Sequence, residues 1–429
     1  MSTFTVHGAP AGGLHGRLRV PGDKSISHRA LLLAARAEGR SQIEGLSDGL
    51  DVAHTLAAVA ACGADVARGG AGSVTIGGGA GRLHEPDAVL DVGNSGTGIR
   101  LLAGWSAGLN WLTVLQGDAS VATRPMARVV DPLRAMGARV DGRDGGRFPP
   151  LVIRGGELRG IDVRPSVPSA QVKSAILLAG LNACGETTVR ETIATRSHTE
   201  ELLALCGADI TVRPGAVTVR QSTLRPFALD VPGDPSQAAF WIVAACITPG
   251  SDLAVEHVYV GPGRAGFLDV LGRMGARLEV EEEDSSAHTA TLRARFGPLT
   301  ATDVGGSEIP GLIDEIPVLA VAAAAAEGVT VFSDAAELRV KESDRVEAVA
   351  EGLGALGVAV DVRPDGLGVV GRGGRRWIRS AVDSHGDHRI AMAMAVAGLS
   401  ADGHTSIAGW DAVATSYPGF EEDLRRCVS

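Results

Sequence analysis

Lys24, Ser25 and Arg29 stand in "VPGDKSISHR" (20–29), where a Pro-Gly turn runs straight into an apolar segment. Five further apolar segments begin from polar clusters of the same kind. "GNSGTGIR" (93–100) brings Gly96, and "PSAQVK" (168–173) brings Ser169, Ala170 and Gln171. "GDPSQ" (233–237) precedes the fourth, "LIDE" (312–315) brings Asp314 to the fifth, and "HGDHR" (385–389) brings His388 and Arg389 to the sixth. Between them, "TRPM" (123–126), "TRSHTE" (195–200) and "RVKESDR" (339–345) add Arg124, Arg196, Lys341, Glu342 and Arg345. A helix N-terminus offers free N–H groups and the positive end of its dipole, so it attracts anions. Glycine lets a ligand approach the backbone. Plain capping calls for Ser, Asp or Asn but not for Lys. The recurrence therefore reads as a site for phosphorylated small molecules. Asp314 and Glu342, set among the cations, could move protons there.

Some of these residues have a purely structural reading. Ser27, Ser236, Ser343 and Asp234 could be helix caps, and Asp314 could cap its own helix. Arg100 and Asp344 could form ordinary ion pairs. His28 and His198 read as structural. Only three of the forty basic residues are lysine: Lys24, Lys173 and Lys341. All three fall in the polar motifs, as if a compact ammonium were needed where a guanidinium fork would not serve.

The elements that must carry these residues repeat. Five helix-like runs end in Gly63, Gly137, Gly207, Gly275 and Gly357, each followed by a strand-like stretch. Such a glycine fits the left-handed residue just past a helix end. The apolar helices alternate with these runs, so each unit is a βαβα-type fragment. Six apolar helices face only five glycine endings, and the N-terminal "FTVHG…GRLRV" is expected to supply the missing strand. Val-Pro-Gly-Asp occurs at 20–23 and again at 231–234, bracketing three repeats. These copies are read as crossings between a contiguous domain, 21–232, and a discontinuous one, 1–20 plus 233–429.

The bulk composition fits this plan. At 429 residues the chain exceeds one ordinary core. Hydrophobic residues make up 45% and charged residues 21%, as in soluble globular proteins. A net charge of −10 argues against nucleic acid as a partner. The N-terminus lacks the pattern of a signal peptide, and no apolar run reaches the length of a membrane span. Five scattered cysteines without a CxxC pair read as free thiols, most of them buried, in a reducing cytoplasm.

Together these segments resemble the 5-enolpyruvylshikimate-3-phosphate synthase family. The resemblance is carried by "PGDKSISHRALLLAA", "GNSGTGIRLL", "GDASVATRPM", "VPSAQVKSAILLAGL", "TRSHTEELL", "VPGDPSQAAF", "LIDEIPVLAVAAAAAEG", "ELRVKESDR", "DHRIAMA" and "TSYPGF", in the family's order across residues 21–420. The "SAQVK" and "RSHTE" forms are similar to the class II subgroup. The resemblance implies an α/β fold of two domains, each of three βαβαββ repeats, closing over the substrates. It implies transfer of the enolpyruvyl group of phosphoenolpyruvate to the 5-hydroxyl of shikimate 3-phosphate, with release of phosphate. It implies a cytoplasmic monomer acting on small molecules, with no metal or organic cofactor. Shikimate 3-phosphate would meet Lys24, Ser25, Arg29, Ser169, Ala170, Gln171, Arg196, Asp314 and Lys341. Phosphoenolpyruvate would meet Lys24, Gly96, Arg124, Gln171, Arg345 and Arg389. Asp314 would be the base for the 5-hydroxyl. Glu342 and Lys24 would handle protons at the methylene carbon and the leaving phosphate, and His388 would orient that phosphate.

Two departures stand out. Thr415 occupies a place where many members carry Lys, and "GPGR" (261–264) replaces the usual Asn-Pro-Thr-Arg. The latter is expected to lie away from the site. The related UDP-N-acetylglucosamine enolpyruvyl transferases carry a Cys in the loop that here reads "GDASVATRPM". Two further alternatives are a secondary-metabolism paralogue acting on another cyclic phosphate and a non-catalytic phosphoanion sensor. A sensor would keep the anion clusters and lose Asp314, Glu342 and His388, all of which are present.

Overall fold

The structure, a computed structural model, describes residues 2–8, 12–70, 72–375 and 377–427. The chain forms two compact units, Gly22–Val231 and Met1–Pro21 with Pro232–Ser429.

In the first unit the apolar segments form helices Lys24–Arg36, Gly96–Ala107 and Ala170–Gly180. The Gly96–Ala107 helix packs against both others. Its approach to Ala170–Gly180 is so close that a Cβ on Gly104 would overlap the Ala175 carbonyl. Interfaces made of Ala and Gly explain how a chain with 3% aromatics fills its core. Around the helices lie three four-stranded sheets of one plan. In the second of them, Leu90–Asp91 pairs parallel to Leu112–Gln116; Phe148–Arg154 then lies antiparallel to that strand and to Arg139–Gly142. The first sheet takes its parallel edge strand, Ala228–Asp230, from the far end of the unit.

The second unit repeats the plan with helices Pro235–Ile247, Ile316–Ala325 and His388–Gly398, which pack on one another. Every residue of the first and last of these helices is buried. Helices apolar on all sides are stable only in such a position. Two of its sheets have four strands, and the third has three among the described residues.

The N-terminal segment is divided between sheets. Thr3–His7 pairs antiparallel with Ala401–Ala408 in the sixth sheet. His15–Leu18 instead pairs parallel with Asp252–Tyr259 in the fourth. The expectation that the whole segment would complete the sixth repeat is corrected: a parallel edge strand was also missing from the fourth sheet, and His15–Leu18 fills it.

The five glycine endings all have positive φ, from 72° to 107°. Each sits one residue beyond its helix C-cap. The N–H of the next residue returns to a carbonyl of the last turn, as from Ala64 to Val59 and Ala276 to Leu271. This closure satisfies carbonyls that the helix end would otherwise orphan. It also turns the chain into the following strand. Among the described residues no helix is long and apolar enough to cross a membrane.

Candidate active site

In the first unit, Asp23 caps the Lys24–Arg36 helix by accepting the Ile26 N–H at 2.8 Å. That fixes the start of the helix, whose first two turns carry Lys24, His28 and Arg29. Lys24 Nζ lies 2.9 Å from Asp51 Oδ2. Arg29 is buried and donates from Nε to Thr199 Oγ1 (2.7 Å), from Nη1 to the Ser25 carbonyl (2.8 Å) and from Nη2 to Ser174 Oγ (2.6 Å). His28, between them, bonds Thr55 Oγ1 at 2.7 Å. Burial, with Lys24 and Arg29 adjacent, holds its imidazole well below the ordinary value, so it stays neutral.

Ser95 and Ser169 are the caps of the next two helices. Gln171 is locked: Arg100 Nη1 donates to its Oε1 at 2.7 Å, and its Nε2 donates to Thr97 Oγ1 at 2.8 Å. Arg124 Nη2 donates to Asn94 Oδ1 and Ser120 Oγ, both at 3.2 Å. Asp118 orients Asn94 by accepting its amide at 2.6 Å. A Cβ on Gly96 would overlap Arg124 Nη1, so a larger residue there would displace that guanidinium. Arg196 is half-buried on the connection that enters helix His198–Leu205. Through Arg29, Ser25 joins the start of the Ala170–Gly180 helix and Thr199. Through Arg100, Gln171 joins the start of the Gly96–Ala107 helix.

In the second unit, Asp314 Oδ1 lies 3.2 Å from Lys341 Nζ and 3.3 Å from Arg345 Nη1. Arg345 is 1% exposed and also meets Glu342 Oε2 at 2.6 Å and Asp387 Oδ2 at 2.7 Å. Arg389 Nη1 donates to the Asp314 carbonyl at 3.1 Å. Asp387 caps the His388–Gly398 helix through the Arg389 N–H at 2.9 Å. His388 is buried in the first turn of that helix. Lys341, Arg345 and Arg389 are thus gathered on Asp314, Glu342 joins through Arg345, and His388 is next to Arg389 in the chain. Asp314 does not cap the helix that follows it. Glu315 holds the cap position and makes no side-chain capping bond.

Glu315 is itself buried, and the "GPGR" segment reaches it. Arg264, 1% exposed, lies 2.5 Å from Asp234 Oδ1 and 3.5 Å from Glu315 Oε1, and Ser236 Oγ bonds both Arg264 and Glu315. These contacts give the segment a structural part. Arg264 anchors the residue next to Asp314, since a buried carboxylate needs a cation and a hydroxyl to satisfy it. Asp51, Asn94, Asp118, Thr199, Arg264 and Asp387 are the partners that sequence reasoning missed. Asn94, Asp118, Thr199 and Asp387 lie inside the polar motifs themselves, which was their one signal; Asp51 and Arg264 left none. Ser27 and Ser236 are not caps: Ser27 accepts the Ser47 N–H, and Ser236 belongs to the Glu315 anchor. Thr415 closes its own turn, donating to the Ala412 carbonyl at 2.7 Å.

Residues 9–424 match the family model described as EPSP synthase (3-phosphoshikimate 1-carboxyvinyltransferase). The chain belongs to the EPSP synthase family. A 3-phosphoshikimate 1-carboxyvinyltransferase of Gloeobacter violaceus is 52% identical over 422 residues, which is 97% of each chain. The solved EPSP synthase of Acinetobacter baumannii is 40% identical, with a TM-score of 0.87 over 99% of this chain and 98% of that one. The enolpyruvyl transferase NikO of Streptomyces tendae shares the fold at a TM-score of 0.78 but only 21% identity, covering 99% of this chain and 96% of that one.

Proposed function

We propose that the chain transfers the enolpyruvyl group of phosphoenolpyruvate to the 5-hydroxyl of shikimate 3-phosphate and releases phosphate, a step of aromatic amino acid biosynthesis. The observation that carries the reading is Asp314: a carboxylate that is not a cap, with one oxygen between an ammonium and a guanidinium. Family membership supplies the substrates.

The residue roles follow from that chemistry. The 5-hydroxyl must lose a proton as its oxygen bonds to the enol carbon, and Asp314 accepts it. The methylene carbon gains and then loses a proton as phosphate departs, with Glu342 and Lys24 as the proton handlers and His388 orienting the phosphate. Shikimate 3-phosphate is held by Lys24, Ser25, Arg29, Ser169, Ala170, Gln171, Arg196, Asp314 and Lys341. Phosphoenolpyruvate is held by Lys24, Gly96, Arg124, Gln171, Arg345 and Arg389. Helix starts and fixed guanidinium groups hold anions without reorganising as charge shifts, which is how such sites lower a barrier. Arg345 already meets three carboxylates, so its role is to set Asp314 and Glu342 as well as to attract the substrate anion. The reading places a monomer in the cytoplasm and assigns it no metal or organic cofactor.

The test is phosphate release from phosphoenolpyruvate with shikimate 3-phosphate present, omitted or replaced by another cyclic phosphate ester. Release only with shikimate 3-phosphate is the expected result. Equal release without an acceptor would make the chain a phosphatase, and preference for the other ester would assign it a different substrate.

A further inference from the structure

Lys173 is the one lysine to which the proposed reaction gives no part. It sits in the first turn of helix Ala170–Gly180, two residues after Gln171, and is 1% exposed. Its ammonium lies 2.9 Å from Glu191 Oε2 and 2.6 Å from Glu200 Oε1, and it donates to the Thr195 carbonyl at 3.4 Å. Glu191 and Thr195 belong to the connection between strand Glu186–Arg190 and helix His198–Leu205, and Glu200 lies in the first turn of that helix. Glu191 turns back on the same connection, accepting the Thr195 N–H at 3.1 Å and its hydroxyl. Both ends of residues 191–200, and their middle, are therefore tied to one nitrogen.

What this clasp holds is specific. Arg196 follows Thr195 directly. Thr199 precedes Glu200 and accepts Arg29 Nε at 2.7 Å. Three acceptors arranged about a point suit an ammonium, whereas a planar guanidinium would need them in a fork. Stability alone does not account for the arrangement. Desolvating a cation and two carboxylates costs several kcal/mol per ion, and apolar residues of like volume often serve stability as well. Burial raises the Glu200 carboxyl above its ordinary value even with the ammonium beside it. An expensive buried triad on a ligand-bearing connection points to shape as what it secures.

We propose that Lys173 is a positioning residue for shikimate 3-phosphate: it clasps residues 191–200 in the one shape that presents Arg196 and keeps Thr199 on Arg29. The inference rests on the reaction proposed above.

The test uses the full chain with Lys173→Met, Glu191→Ala and Glu191→Gln. Steady-state kinetics vary each substrate in turn, calorimetry measures shikimate 3-phosphate binding, and melting is followed in parallel. For Lys173→Met and Glu191→Ala, KM and Kd for shikimate 3-phosphate should rise by about tenfold or more while KM for phosphoenolpyruvate stays within about twofold. Glu191→Gln keeps one acceptor oxygen, enough for Lys173 or for Thr195 but not for both, so its KM for shikimate 3-phosphate should rise less than that of Glu191→Ala. Unchanged affinity for shikimate 3-phosphate with a lowered melting temperature would overturn the proposal and leave a structural strut. Should Lys173→Met not fold, the contrast between the two Glu191 variants decides, because Glu191 is nearer the surface. A parent enzyme without acceptor-dependent phosphate release would defeat the reaction itself; an active parent with indifferent variants defeats only this inference.

Discussion

Asp314 and Gly96 are where single atoms decide most. Asp314→Asn keeps the shape of the side chain but cannot accept the hydroxyl proton. Turnover should fall by about a hundredfold or more, the scale of a positioned base. Binding of shikimate 3-phosphate should change much less, because a negative charge near a trianion is removed too. Calorimetry and turnover on one preparation check this, and retained turnover would move the base role to Glu342. At Gly96 the prediction concerns the other substrate. A methyl group there must push the Arg124 guanidinium from its place beside Asn94 and Ser120. Gly96→Ala should raise KM for phosphoenolpyruvate by about tenfold, equal to ~1.4 kcal/mol of lost binding, and leave KM for shikimate 3-phosphate nearly unchanged. Equal changes in both constants would show a general disturbance instead. The cationic residues themselves were legible in the sequence because each lies in a short motif at a helix start. Their partners were not: Lys24 with Asp51, Arg345 with Asp387 and Arg264 with Glu315 join residues 27, 42 and 51 positions apart. Nothing local says which side chains will face each other. For that reason the link from "GPGR" to Glu315, the residue beside Asp314, was not legible.

The elements rest on two local devices, helix starts set in polar clusters and glycine endings that turn helix into strand. Both were legible, since each needs only a few consecutive residues. The routing of the two N-terminal strands into different sheets was not, because strand pairing depends on edges left open far along the chain. Gly275 isolates the second device. It has φ +84°, and a Cβ there would find nothing nearer than the Pro298 carbonyl at 3.9 Å. Gly275→Ala should therefore cost only the left-handed conformation, about 1–2 kcal/mol. A fall in melting temperature of about 2–8 °C with unaltered KM values is the expected outcome, checked by thermal denaturation and kinetics. The sheet containing Asp252–Tyr259 carries a different signature. Asp252 Oδ1 and Oδ2 meet Arg293 at 2.6 and 2.8 Å, and Oδ2 meets Arg295 at 3.2 Å. Arg293 first, then Arg295, holds its carboxyl down to about 2. A carboxylate depressed in the folded state adds stability that is fully present above its unfolded value, about 3.9, and is lost as pH falls towards 2. Acid unfolding followed between about pH 4 and 2 should begin at higher pH in Asp252→Ala than in the parent, by a modest margin since the pair is part-exposed. Superimposable curves would show that the pairing carries no net stability.

The whole chain carries a net charge of −10, yet its proposed ligands are anions. Long-range attraction cannot gather them, so affinity must come from short-range groups. The structure supplies such groups in two clusters, one on each compact unit: Lys24, Arg29, Arg100 and Arg124 on one, Lys341, Arg345 and Arg389 on the other. Repetition made this scale readable from sequence, since six similar fragments must build six similar helix starts. Lys24, Lys173 and Arg264 each meet neighbouring carboxylates, and Lys173 and Arg264 meet two apiece. The central claim is the proposed enolpyruvyl transfer, and its most direct test is the product. Phosphoenolpyruvate and shikimate 3-phosphate are incubated with the enzyme and followed by proton and phosphorus NMR. The account predicts one inorganic phosphate for each shikimate 3-phosphate consumed, a retained 3-phosphate ester, and a new pair of vinylic protons on an enol ether. Inorganic phosphate without the enol ether, or loss of the 3-phosphate ester, would contradict it.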